Sequence, residues 1–516
     1  MNKNITTKSI YLLLLCIISL STNAQNNRIK KFISNSQTSY VKLMFVGDIP
    51  INKRVVESAY RSKGHTYDFQ PIFHYIRPYL NLGDIVAGSL ETTIGTPPYG
   101  KFPQYRSPED IATSLKYTGF NVLFTANGKS IYQDAETWKT QNDILKKVKI
   151  ASTGSFENIE ERSERNPLIV EKRGVKIAFL NYMDGIENST SISPIINALD
   201  TALARKDIAL AKKRGAEFIV VYMHWGKEFE VRSNARQQIV SKMLSHAGAN
   251  LIVGTHTHTV QDMNIETYEQ NGKTRDALTV YSMGDFLSTA NSTKVNSSAI
   301  FEIIVSKNKQ TKEINIEDFG YIPTYCYSYN YSGKNTWSIV PVRQVELDNI
   351  EIQFMSPQER EQMKSAAENI RHKFSPYMQE IEYKLTNEII NDVAESLTVT
   401  KKPMNEKEYV SLEKINLLHK DYGFGRVLDT EKKIDPNAPI YRIQFMATRK
   451  EKKVDTRFYR HLKEYEVVKE NGYYKYLIGI ENDVETINNY CEEVRRLGHP
   501  KAFVVVYKKG KRISNN

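Results

Sequence analysis

Between residues 41 and 282, seven short apolar runs recur, at 41–46, 84–88, 121–125, 175–181, 218–223, 251–254 and 278–282, each closing on glycine or polar residues. Near-continuous apolar runs of this length suit strands covered on both faces. Helical patterns such as 235–247 lie between several of them. Buried strands alternating with helices predict an α/β domain, with functional groups just past the strand ends.

Length and composition place this domain in a larger chain. The 516 residues, 40% hydrophobic and 25% charged, exclude wholesale disorder, collagen and a multi-span membrane protein, and predict two to four domains. Lysine and arginine number 71 against 59 acidic residues, a net charge of +12. That mild excess suits an anionic partner, while the lack of a dense basic block speaks against nucleic acid. The cysteines, Cys16, Cys326 and Cys491, are too few and too scattered for a disulfide scaffold or a thiolate zinc site. A Cys326–Cys491 bridge stays open but is not favoured, because the two fall in different expected domains.

The N-terminus reads as an address. Lys3 and Lys8 precede an uncharged apolar run at 10–20, and Thr22-Asn23-Ala24 supplies small residues before Gln25. This layout predicts a signal peptide over 1–24 and an exported, periplasmic product. The run is too short to span a bilayer, and no later segment reaches that length, so no transmembrane segment is expected in the mature chain.

Beyond the α/β region (41–345), residues 356–438 are polar and rich in lysine and glutamate. Ser356-Pro357-Gln358-Glu359 reads as a helix start. A helical spacer is expected, closing on Asp435-Pro436-Asn437-Ala438-Pro439. Residues 439–510 then show a strand at 441–446, a helix at 456–464, two strands flanking Asn471-Gly472, a helix at 484–497 and a strand at 502–507. That predicts a small βαββαβ domain with both helices on one face of an antiparallel sheet.

The residues able to do chemistry follow strands of the first region. Asp48, Glu91, His224, His256 and His258 lie at or just past strand ends, where an α/β sheet gathers its ligands. Two carboxylates and three imidazoles suit one or two first-row transition ions. In an extended segment His256 and His258 face one side, so one ion takes both rings. A bound metal pair polarises a phosphoryl or carbonyl oxygen and activates water. A single Gly-Asp pair or His-x-His is uninformative. The five residues together, all at strand ends, point to a site.

In order along the chain stand Met44-Phe45-Val46-Gly47-Asp48, Ser89-Leu90-Glu91, Ser107-Pro108, Ala126-Asn127, His224-Trp225-Gly226-Lys227-Glu228, His246-Ala247-Gly248-Ala249-Asn250, Gly254-Thr255-His256-Thr257-His258 and Tyr281-Ser282-Met283-Gly284-Asp285-Phe286. This series resembles the CapA, or PGA_cap, family of poly-γ-glutamate capsule biosynthesis, a branch of the calcineurin-like metallophosphoesterases. The resemblance implies a four-layer α/β/β/α fold and a divalent-metal site of one or two Mn, Fe or Zn ions. It makes Asp48, Glu91, His224, His256 and His258 metal ligands. The family pattern Ala-Asn-Asn-His stands here as Ala126-Asn127-Gly128-Lys129, which removes a ligand asparagine and a histidine. Asn127 is then the candidate to move into the ligand role, Lys129 the candidate to neutralise the substrate anion, and Lys129 and His224 the candidate catalytic residues. Asn52 stands where relatives often carry a histidine.

The C-terminal pattern, with Tyr441-Arg442-Ile443-Gln444-Phe445, Asn471-Gly472-Tyr473-Tyr474-Lys475-Tyr476 and Ala502-Phe503-Val504-Val505, resembles a SPOR domain. That implies a ferredoxin-like fold that binds peptidoglycan glycan strands, with Tyr441, Gln444, Tyr474 and Tyr476 as candidate contacts. The expectation is an exported CapA-like hydrolase held on the wall, with peptidoglycan and an anionic envelope polymer as partners. The rival is a non-enzymatic wall adaptor built on a degenerate first domain.

Overall fold

The computed structural model describes residues 34–383, apart from 63–64, 103, 186–195, 271, 332, 348–351 and 353, and much of 439–513. The expected signal peptide, the 384–438 part of the expected spacer and the expected helix at 456–464 lie outside the described residues. The chain divides into two compact units, Met1–Ser396 and Leu397–Asn516. Among the described residues no helix is long and apolar enough to cross a membrane.

The strands of the first unit are β1 (Thr38–Pro50), β2 (Ile85–Glu91), β3 (Val122–Phe124), β4 (Ala151–Thr153), β5 (Leu168–Lys172), β6 (Val175–Met183), β7 (Phe218–His224), β8 (Leu251–Thr255), β9 (Met263–Gln270), β10 (Lys273–Val280), β11 (Ser297–Asn308), β12 (Ile314–Tyr331) and β13 (Lys334–Pro341). Its main helices are α1 (Lys53–Ala59), α2 (Asp110–Thr118), α3 (Ala135–Lys147), α4 (Thr201–Lys213), α5 (Ala235–Ala247) and α6 (Pro357–Phe374). One sheet has the order β13-β12-β11-β1-β2-β3-β4 and the other β9-β10-β8-β7-β6-β5. β1 to β4 run parallel in the first, and β6, β7, β8 and β10 in the second.

Three apolar cores make four layers of these two sheets. Leu43 and Phe45 of β1 meet Phe179, Val220 and Val253 between the sheets. Met44, Val86 and Leu123 turn outward onto α1, α2 and α3 through Val55, Ile111, Leu115 and Leu145. Ala178 and Leu180 turn outward onto α4 and α5 through Ala204, Ile208, Val240 and Leu244. Alternate residues of one buried strand therefore serve two cores, as the period of two demands. The four-layer α/β/β/α arrangement follows.

Local signals place the helices. Asp200 caps α4, accepting from the amides of Ala202 and Leu203. A capping box of Asn234 and Gln237 starts α5, and Gly248 at φ +116° ends it. Ser356 and Glu359 form the same box at α6, with Pro357 in the first turn.

α6 corrects the expectation of a spacer from residue 356. Met363, Ala366 and Ala367 are buried against Tyr325, Tyr327, Val340 and Val345, and Ile370 and Phe374 join the core between the sheets. Burial of each large apolar side chain contributes about 1.5–3 kcal/mol. The low apolar content of this helix concealed a single buried stripe, which is all a surface helix needs.

The second unit holds β14 (Ile440–Thr448), β15 (Glu466–Glu470), β16 (Tyr473–Glu481), β17 (Phe503–Lys508) and β18 (Lys511–Ile513). They pair antiparallel in the order β15-β16-β14-β17-β18. The first four have the strand order of a ferredoxin-like βαββαβ sheet, and β18 adds an edge. Gly472, at φ +77°, stands in the β15–β16 hairpin. Ile487 and Cys491, at helical positions, pack with Ile443, Phe445 and Tyr476 on one face.

Candidate functional site

The site forms where the carboxyl ends of both sheets' parallel strands meet. One hydrogen bond sets that meeting: the Tyr222 hydroxyl of β7 donates to the Val46 carbonyl of β1 at 2.6 Å. Tyr222 also stacks on Phe124 of β3, with centroids 4.0 Å apart. Two residues beyond each bonded partner stand His224 and Asp48.

Asp48 is fully buried at an irregularity of β1, where the register with β2 shifts between Phe45 and Asp48. Such shifts re-aim side chains beside active sites. Gly47 makes this possible, because a Cβ there would lie 1.9 Å from the Gly284 carbonyl oxygen. The Asp48 amide donates to that oxygen at 3.0 Å, and the Phe286 amide donates to the Asp48 carbonyl at 2.8 Å. Asp48 Oδ2 accepts the His256 amide at 2.9 Å, whereas the buried Oδ1 has no hydrogen-bond partner.

The two histidines after β8 are not extended. His256 has φ +90° and His258 has φ +58°. The turn nevertheless holds their rings with centroids 6.3 Å apart and sets His256 4.3 Å from His224. Left-handed backbone is costly for histidine, and here the bond from the His256 amide to Asp48 holds it. His258 Nδ1 bonds Asp285 Oδ1 at 2.9 Å, and its Nε2 lies 3.7 Å from Glu228. Burial lowers the His258 pKa, but the Asp285 bond and charge, with Glu91 and Asp48, outweigh it and push it up to about 10. Asp285 itself is raised, chiefly by burial, to about 6.

His224 is 2% exposed. Its Nε2 accepts the Gly128 amide at 3.3 Å and its Nδ1 has no partner. Burial, then the charges of His256 and His258, holds it well below the ordinary imidazole pKa, so the ring is neutral. Burial likewise lowers His256, against the pull of Asp48. Glu91 is shifted upward by burial and by Asp48. Its Oε1 lies 3.9 Å from Lys129 Nζ, which sits over the Tyr105 ring at 4.8 Å.

The structure thus gathers Asp48, Glu91, Lys129, His224, His256 and His258. It corrects Asn127 as a ligand: Asn127 Nδ2 donates to the Leu90 carbonyl, and its Oδ1 accepts from the Lys129 amide and the Ser130 hydroxyl. Both ends of that carboxamide are committed to shaping the loop. Asp285 is a member that strand-end reasoning passed over, although its Gly-Asp-Phe motif stood in view. Aromatic rims were also missed: Phe102, 73% exposed, with Tyr105 and Tyr132 on the Lys129 side, and Phe229 beside His258.

The donor chemistry, carboxylate with imidazole, suits a divalent transition ion. A buried carboxylate oxygen without a partner, Asp48 Oδ1, calls for a cation. Among the described residues no three side chains of His, Cys, Asp or Glu close into a finished cage.

In the second unit, Tyr476 is corrected as a surface contact. It is fully buried and packs on Phe445. Tyr441 and Tyr474 lean on the same core. Gln444 pairs across the sheet with Leu477 and Phe503, and its Oε1 accepts from Arg512 at 3.0 Å. Phe503 is 41% exposed, with the Arg512 guanidinium 5.9 Å from its ring. Cys326 and Cys491 are both buried thiols, in no disulfide.

The family model described as "Bacterial capsule synthesis protein PGA_cap" matches residues 42–290. The capsule biosynthesis protein CapA of Bacillus anthracis is 26% identical over 319 residues, 59% of this chain and 74% of the relative. The PGA biosynthesis protein CapA of Bacillus subtilis (strain 168) is 28% identical over 273 residues, 51% of this chain and 67% of the relative. Among solved structures, a novel phosphatase of Mycoplasma pneumoniae overlaps 55% of this chain and 94% of its own at TM-score 0.34 and 14% identity. A 5'-nucleotidase from Candida albicans SC5314 overlaps 65% and 57% at TM-score 0.31 and 10% identity. The segment that carries every residue of the site, 42–290, is thus similar to the bacterial capsule synthesis proteins of the PGA_cap family.

Proposed function

We propose that the chain is a CapA-like protein whose first unit is a metal-dependent phosphoesterase-type hydrolase working in capsule, poly-γ-glutamate or envelope-polymer metabolism. The convergence of Asp48, Glu91, His224, His256, His258 and Asp285 on one edge, with Asp48 Oδ1 left unpartnered, carries this reading. Asp48, His256 and His258 would hold the ion, with His224 and Glu91 beside them. A Mn, Fe or Zn ion there supplies Lewis acidity toward a phosphoryl or carbonyl oxygen. The His224 ring, held neutral by burial, stands beside the ion as an uncharged imidazole with its buried Nδ1 unpartnered. Lys129, with 28% of its side chain exposed, offers further N–H donors to an anionic group. The Phe102–Tyr105–Tyr132 and Phe229 rims give a polymer apolar footing on either side.

Export through the 1–24 leader and a SPOR role for the second unit complete the reading. Retention on peptidoglycan raises the effective concentration of the first unit at its polymer. The Lys129–Glu91 pair favours the rival, a wall adaptor without turnover, since it occupies a carboxylate that a second ion would need. Hydrolysis of bis(p-nitrophenyl) phosphate by the full chain with added Mn2+ decides between them. Asp48→Asn is expected to lower the rate at least about 100-fold. Equal rates in both proteins would leave only the adaptor.

A further inference from the structure

Of the three buried carboxylates at the site, two already have partners of opposite or protonatable character. Asp285 is bonded to His258 at 2.9 Å, and Glu91 is paired with Lys129 at 3.9 Å. Asp48 keeps one oxygen without a partner. Glu91 is 3% exposed, so its ammonium neighbour stands in a medium where like charges repel strongly. The ammonium is also fixed from behind by the Tyr105 ring face. A divalent ion drawn to Glu91 would have to displace Lys129 or sit against it.

The space beside Lys129 has been opened rather than filled. A Cβ on Gly128 would meet only His224 Nε2, at 3.8 Å. Asn127, the adjoining polar residue, is spent on the Leu90 carbonyl of β2 and the Lys129 amide. No side chain from this loop other than Lys129 therefore reaches Glu91 among the described contacts.

Resting on the proposed metal centre, we propose that the Lys129 ammonium takes the place of one divalent ion at Glu91, leaving a centre that takes a single ion on the Asp48 side. One unit of the site's positive charge is then carried by the chain's own side chain, and Glu91 serves to seat it.

Metal content of the full chain, measured by inductively coupled plasma mass spectrometry after Mn2+ or Zn2+ loading and desalting, tests this directly. Lys129→Met is expected to hold one equivalent more than the wild type, because Glu91 is released. Lys129→Arg, which keeps the charge, is expected to match the wild type. The double variant Lys129→Met/Glu91→Gln is expected to lose the extra equivalent. Equal content in the wild type and Lys129→Met, or a gain that survives Glu91→Gln, overturns the proposal. Circular dichroism of each variant shows whether it is folded, and Lys129→Arg keeps the test decisive if the methionine variant is not. In that case, a second equivalent bound by the wild type or by Lys129→Arg overturns the proposal, and a single one supports it. Failure of the metal centre itself reads differently: Asp48→Asn would then leave the metal content at its wild-type value.

Discussion

Tyr222 and Val46 show how much a single hydroxyl can decide. The bond between them crosses the two sheets, and each partner stands two residues before a member of the site. Tyr222→Phe keeps the ring packed on Phe124 but leaves the Val46 carbonyl buried without its donor, at a cost of about 1–3 kcal/mol. Chemical denaturation should show that loss, and turnover and metal content should fall with it. Unchanged stability would show that the bond is dispensable. At this scale much of the site was legible, because Asp48, Glu91, His224, His256 and His258 follow apolar strands and strand ends gather at one edge. Asp285 was less so: its loop reaches the site by bridging Asp48 from β1, a contact between residues more than 200 positions apart. The turn at His256 was not legible either, because the Asp48 carboxylate that stabilises its positive φ is remote in sequence.

Among the elements, α6 changes the picture of the first unit most. Lys373, in its last turn, donates to the Val260 carbonyl and has Asp262, Lys294 and Arg232 as charged neighbours. Burial chiefly lowers its pKa, to about 8. Unfolded lysine titrates near 10.4. Between these values the unfolded chain binds more protons, so stability rises with pH from about 8 to about 10.4, and this contribution is absent below 8. Lys373→Met carries no such proton. Thermal midpoints of the wild type should therefore gain on those of Lys373→Met as pH rises from 8 to 10, and parallel profiles would refute the docking of this turn. The capping box of α6 was readable from Ser356-Pro357-Gln358-Glu359, but its partner core was not. Met363, Ile370 and Phe374 acquire meaning only beside Tyr325 and Tyr321, which come from β12.

At the scale of the whole molecule, the chain holds two compact units. The antiparallel strands of the second were legible from alternating residues and the Asn471-Gly472 turn, while its expected helix at 456–464 lies outside the described residues. Which tyrosines would face outward was not legible, since 473–476 places aromatics in both registers. Register shifts between β14 and β16 then settle Tyr476 inside. The open face instead offers Phe503 and Arg512, and Gln444, buried beside them, is corrected as a surface contact. On the proposed wall-binding role, Phe503→Ser in the full chain should reduce co-sedimentation with purified sacculi several-fold while leaving phosphodiester hydrolysis unchanged, and undiminished sedimentation would move the contact elsewhere.

On the proposed hydrolase reading, the Tyr222–Val46 bond has a final consequence for how activity ends. The site residues are contributed by two sheets packed on one shared core, so their alignment depends on the seam between the sheets rather than on either one alone. Mild heating that merely loosens the seam would silence the chemistry while helices and strands still register in full, and inactivation should therefore run ahead of melting.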